Sequence, residues 1–330
     1  TILVSDWSSD VCSSDLKLAQ LTGIWVTELI DRERQPVPEK LDYRLSHGIG
    51  HLTRVGASSL LPPAESAKLA NTLQRYLLER TRLSIPAIVH EESCAGYMAR
   101  GATTFPQAMA MAATWEPELV EDITRVIRRQ MRAVGAHHAL APVLDVVRDP
   151  RWGRVEETFG EDPFLISAIG AAYIRGLQGD SWDGRVIATA KHFAAYGLSE
   201  GGMNWAPVHV PDRELREIFL TPFRAAVQAV GIESVMPAYH ELDGVPCHAD
   251  KRLLVDILRG EMGFNGTVVS DYFGINMLKE YHHVAADKSE AARLSIEAGV
   301  DVELPNQDCY GSPLKAAVEA GQVDISLIDA

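Results

Sequence analysis

One aspartate closes a β-branched run, Thr267-Val268-Val269-Ser270-Asp271, and is followed by Tyr272. A carboxylate held at the end of a buried strand can add to an electron-poor carbon and later leave when water attacks, which is a nucleophile's work. The same residue type at the same place also caps helices. Other polar side chains recur where apolar runs end: Glu92 after His90-Glu91, Asp145, the Lys191-His192 pair, and Tyr239-His240. Between them stands a loop-like stretch, Arg148-Asp149-Pro150-Arg151-Trp152-Gly153-Arg154, rich in guanidinium donors and acids. The fork of Arg154 can donate to two neighbouring hydroxyls, and the carboxylate of Glu92 can accept from hydroxyls. Read alone, Arg154 and Glu92 could instead pair with each other or with Lys191, and Lys191-His192 could be a neutralised core lysine beside a satisfied core histidine. Met236 and Tyr239 have the spacing of core residues. A second Val-Ser-Asp-aromatic string, Val4-Ser5-Asp6-Trp7, has no strand before it, so Asp6 is a coincidence.

The elements that must position these groups follow from hydropathy patterning. Short apolar runs over 48–55, 85–91, 138–146, 186–193, 234–239, 267–271 and 299–303 read as strands. Amphipathic stretches over 63–80, 116–132, 163–177, 211–230, 252–262 and 288–298 read as the helices between them. That alternation predicts an α/β fold with a parallel sheet, buried on both faces. No glycine-rich phosphate loop follows the first strand, so a TIM-type (β/α)8 barrel, complete or slightly incomplete, is preferred to an open doubly wound sheet. In a barrel the strand ends that carry the polar residues share one face.

At 330 residues, 46% of them hydrophobic, the chain can bury one large core, and its net charge of −14 argues against a nucleic-acid surface. No apolar run is long enough to cross a bilayer, so no membrane partner is expected. Residues 1–16 are rich in Ser and Asp, lack Lys and Arg, and resemble a translated sequencing adapter; they are expected to be a non-native, unstructured leader, with one domain over 17–330. The natural N-terminus is then missing, and the final QVDISLIDA reads as a helix cut short. Setting Cys12 aside leaves Cys94, Cys247 and Cys309, a spacing that leans toward a reducing, cytoplasmic setting.

The loop around Arg154, together with GATTFPQAMAMAATWEPEL, KHFAAYGLSEGG, SVMPAYHELDGVPCHAD and GTVVSDYFG, resembles the N-terminal barrel domain of glycoside hydrolase family 3, with the blocks in the family's order. The resemblance implies a retaining exo-glycosidase of the β-glucosidase or β-xylosidase kind, without cofactor or metal. Its substrate would be an oligosaccharide or aryl glycoside. By position, Asp271 matches the family's nucleophile, and Glu92, Arg154, Lys191 and His192 match its sugar-binding residues. Met236 and Tyr239 match residues that line the pocket near the nucleophile. For both members of Lys191-His192 to reach a ligand, the strand must be irregular there, since adjacent strand residues point to opposite faces.

Two departures stand out. Tyr272 follows the nucleophile where many relatives carry Trp, so the platform for the leaving group is expected to differ. No second catalytic carboxyl is nominated: relatives take it from a C-terminal α/β sandwich domain, here expected to be missing, and Glu91, Glu156, Glu157, Glu200 and Glu241 are the substitutes available. A Schiff-base lyase using Lys191 and a non-catalytic sugar-binding barrel are the rival readings.

Overall fold

The computed structural model describes residues 17–329; the leader expected over 1–16, Asp6 included, lies outside the described residues. Seven parallel strands run in the order of the chain: β1 (Gly23–Trp25), β2 (His51–Thr53), β3 (Ile88–Glu91), β4 (His138–Ala139), β5 (Ile187–Phe193), β6 (Ser234–Pro237) and, after the small hairpin of β7 (Glu241–Leu242) and β8 (Val245–Pro246), β9 (Thr267–Val268). The ring is completed by the segment around Val302 and Glu303. Ser270 donates to the Val302 carbonyl, Glu303 to that of Leu21, and Gly23 to that of Glu303, with isolated parallel bridges Val269–Val302 and Thr22–Glu303. The fold is thus the expected α/β barrel.

Its helices form for local reasons. Pro163–Gln178 opens with Pro at its first position, and the Asp162 side chain accepts from the Leu165 N–H. It buries Ile166, Ile169, Tyr173, Ile174 and Leu177 at helical spacing. Pro63–Arg80 and Lys288–Ala298 match their expected bounds, the latter capped by Asp287.

Four differences from the sequence reading stand out. β1 was not anticipated, because three residues between turns carry no period. The strand expected over 138–146 keeps only His138–Ala139 as ladder, since Pro142 follows and has no N–H to donate. The stretch expected over 299–303 contributes single bridges rather than a ladder. The helix expected over 211–230 is broken into a turn at Asp212–Glu214, a wide π-type segment at Leu215–Phe219 and a regular helix at Thr221–Val230, because Pro222 lacks the N–H of an unbroken helix.

The main core lies between sheet and helices, and a smaller one, Leu140, Met236, Val269, Val302 and Leu304, fills the barrel interior with Tyr272 packed on it. Beside it three buried imidazoles, His51, His90 and His138, face one another with ring centroids 5.6–6.5 Å apart.

Candidate active site

Asp271 follows the last bridged residues of β9, at the strand ends of the barrel. Its backbone N–H donates to His248 Nε2 at 3.0 Å, and its Oδ1 accepts from the Tyr272 N–H at 2.8 Å. Its Oδ2 is buried and has no hydrogen-bond partner. Desolvation raises the Asp271 pKa, and the Lys191 and Arg154 cations oppose that shift. The carboxylate therefore has one oxygen fixed and the other free, beside two positive charges.

The expected irregularity in β5 is present: its pairing with β6 slips between Lys191 and Phe193, and the Lys191–His192 peptide is cis. Both side chains reach the site. Lys191 Nζ donates to Glu92 Oε2 at 3.1 Å, while His192 Nε2 lies 3.6 Å from Asp271 Oδ2. Burial alone would lower the Lys191 pKa, but the carboxylate of Glu92 holds it above its ordinary value. Arg154 forks onto Glu157 at 2.9 and 2.8 Å and lies over the Tyr196 ring at 5.8 Å. Burial disfavours its charge, yet the Glu157 pair keeps its pKa raised. The Glu92–Lys191 pairing foreseen as the bland alternative thus exists, in the same place that a ligand would contact.

Tyr239 donates its hydroxyl to the carbonyl of Tyr272 at 3.0 Å, and so braces the Asp271 segment through the backbone. Met236 is sealed in the interior core at 1% exposure and does not line an open pocket. The Tyr272 ring is turned toward Trp25, edge-on at 5.3 Å, with its hydroxyl 3.0 Å from His90 Nε2. These two residues support the site from beneath.

Several contributors had no local signal. His248, 23 residues before Asp271, holds the aspartate's backbone, and Gly274 lies so close that a Cβ there would come within 2.3 Å of His248 Nε2. Asp145 Oδ2 faces His192 Nδ1 at 2.8 Å. Glu157 could have been suspected, three residues after Arg154 on one turn, and Asp145 stood out at the end of an apolar run, although its partner did not.

The five acids considered as substitutes for a second catalytic carboxyl are engaged elsewhere or exposed. Glu91 accepts from the Gly56 N–H, Glu157 holds Arg154, Glu241 faces His282, and Glu156 and Glu200 are exposed. Among the described residues, Glu303, Asp308 and Cys309 have a spacing that could hold a metal ion, but the Glu303 carboxylate is taken by the N–H groups of Asp308, Cys309 and Tyr310.

A barrel of this topology with an aspartate at the end of its penultimate strand position, ringed by Lys, His, Arg and Glu, has the form of a glycosidase catalytic domain. The chain belongs to glycosyl hydrolase family 3: residues 13–330 match the family's N-terminal domain. Over 233 residues it is 45% identical to a β-xylosidase of Formosa agariphila, covering 68% of this chain and 32% of that protein. It is 35% identical over 259 residues to a periplasmic β-glucosidase of Salmonella typhimurium, covering 78% and 33%. A solved β-glucosidase from Erythrobacter marinus superposes with a TM-score of 0.89 at 35% identity over 98% of this chain and 44% of its own. That of Listeria innocua gives 0.85 at 33% identity over 96% and 43%. The chain thus spans about a third of the length of the curated relatives it matches.

Proposed function

We propose that this barrel is the nucleophile-bearing part of a retaining, exo-acting β-glycosidase that releases a terminal non-reducing β-D-glucosyl residue. The observation that carries the reading is the unpartnered Asp271 Oδ2, buried on the strand-end face beside Lys191 and Arg154. This oxygen forms the bond to the anomeric carbon while the bond to the leaving oxygen breaks; water then displaces Asp271 and restores its carboxylate. Lys191, His192, Arg154 and Glu92 engage sugar hydroxyls, and Tyr239 steadies the nucleophile's backbone. The second carboxyl, needed about 5 Å from the nucleophile to protonate the leaving oxygen, is assigned to a C-terminal α/β sandwich domain beyond these 330 residues.

A 2,4-dinitrophenyl 2-deoxy-2-fluoro-β-glucoside, whose leaving group needs no acid, tests this directly. It should attach one sugar to Asp271, found by peptide mass spectrometry, and Asp271→Ala should take up none. Borohydride-trapped imine on Lys191, or tight sugar binding without attachment, would support the lyase or the binding-barrel reading instead. A β-xylosidase is the second reading of the same site, favoured by the 45% identical relative of that name and by the reach of Glu92, one methylene longer than an aspartate. The ratio of kcat/KM on aryl xyloside and aryl glucoside, measured on the full-length protein, separates the two sugars.

A further inference from the structure

His192 stands between two carboxylates. On one side Asp145 Oδ2 accepts from its backbone N–H at 3.0 Å and faces its Nδ1 at 2.8 Å; on the other, Nε2 lies 3.6 Å from Asp271 Oδ2. Asp145, His192 and Asp271 are all buried, and neither Nε2 nor Oδ2 has a hydrogen-bond partner. Burial raises the Asp145 pKa to about 7, so at pH 8 it is a carboxylate with only lone pairs to offer, and there the ring nitrogen that faces it must carry the proton. Nε2 is then a bare lone pair opposite the oxygen that the proposed mechanism needs bare. With the proton on Nε2 instead, the ring would donate to Oδ2 and tie up its lone pair.

We infer that Asp145 is a positioning residue that keeps the His192 proton on Nδ1, and thereby leaves the Asp271 Oδ2 free to attack and the His192 Nε2 lone pair free to accept from a sugar hydroxyl. This rests on the reading of Asp271 as nucleophile. The surroundings agree. Burial, then the cations of Arg154 and Lys191, and the imidazoles of His240 and His248 keep His192 from taking a second proton, while the Tyr196 ring meets its edge at 5.4 Å. The same logic holds the backbone: His248 Nε2 accepts from the Asp271 N–H, so that its own proton sits on Nδ1.

The test joins a spectroscopic readout to a kinetic one. In this chain, labelled with nitrogen-15 at histidine, His192 should show an unprotonated Nε2 and a protonated Nδ1 at pH 8. Because the same Asp145 oxygen accepts from the His192 backbone N–H and faces Nδ1, an asparagine would keep its carbonyl there; Asp145→Leu removes the acceptor and should let the proton move to Nε2, where Asp271 Oδ2 accepts it. The rate of Asp271 labelling by the fluoroglucoside should then fall about tenfold or more, as when a triad histidine is left in the wrong tautomer. Asp145→Glu, which keeps an acceptor there, should recover part of the rate. A wild-type ring protonated at Nε2 overturns the inference even if the leucine variant does not fold. So does a folded Asp145→Leu chain labelled within twofold of wild type. Failure of the wild type to be labelled at all would count against the nucleophile reading, while the tautomer would still judge Asp145.

Discussion

Replacing Lys191 by methionine keeps the length of its stem and removes its charge. The Lys191 side chain is 5% exposed and that of its partner Glu92 20%, so the pair lies mostly out of water without being sealed from it. Breaking a fully buried pair costs about 3–5 kcal/mol, whereas a charge-assisted hydrogen bond in a partly wet site is worth about 1.5–3 kcal/mol. Glu92 can turn its remaining charge toward solvent, so the lower range applies, and a loss of about 2 kcal/mol is expected in urea unfolding at pH 8. The pH dependence has a definite sign. Burial puts the folded pKa of Asp271 above its ordinary value, so its ionised form already opposes folding, and Lys191 is its strongest counterweight. Without that cation the penalty grows at neutral and alkaline pH and fades as pH falls and Asp271 takes a proton. Unfolding curves between pH 5 and 8 for both chains would show the gap narrowing toward acid. A difference below about 0.5 kcal/mol at every pH would refute the account, because it would mean that neither carboxylate depends on this cation.

Two further outcomes follow from the geometry. Gly274→Ala sets a Cβ against the rigid His248 ring, so it should cost about 1–3 kcal/mol in denaturant unfolding and also slow Asp271 labelling; an unchanged stability would mean that the helix start can shift freely. His51 is buried and its pKa falls to about 4 through desolvation, against an ordinary value near 6.5, so its contribution to stability is whole above about 6.5 and lost as pH falls toward 4. His51→Gln should therefore gain on the wild type by roughly 3 kcal/mol across that window. Taking the difference between the two chains removes the opposite slopes of Glu91, Asp145 and Glu303, whose pKa values burial raises to about 7. A flat difference would show that His51 titrates alike in the folded and unfolded chain, and so is not desolvated in the fold.

The alternation of apolar runs and amphipathic stretches was enough to predict an α/β barrel, because strands buried on both faces and helices buried on one leave different periods in a sequence. It also placed Asp271, Lys191 and His192 at strand ends, where the side chains of a barrel face its mouth. It missed β1 and overextended the fourth strand, since three paired residues leave no period and a proline ends a ladder through a missing N–H that hydropathy does not record. The identity of each polar residue was legible; its partner was not. Arg154 pairs with Glu157 and not with Glu92, Tyr239 donates to the backbone carbonyl of Tyr272, and Met236 fills the interior core. Asp145 and His248 meet their partners across 47 and 23 residues of chain. Such contacts are made when the barrel closes and brings one strand end beside another, so spacing along the chain carries no record of them. The sequence by itself determined which chemistry was available and on which face; closure decided which oxygen of Asp271 is held and which is free.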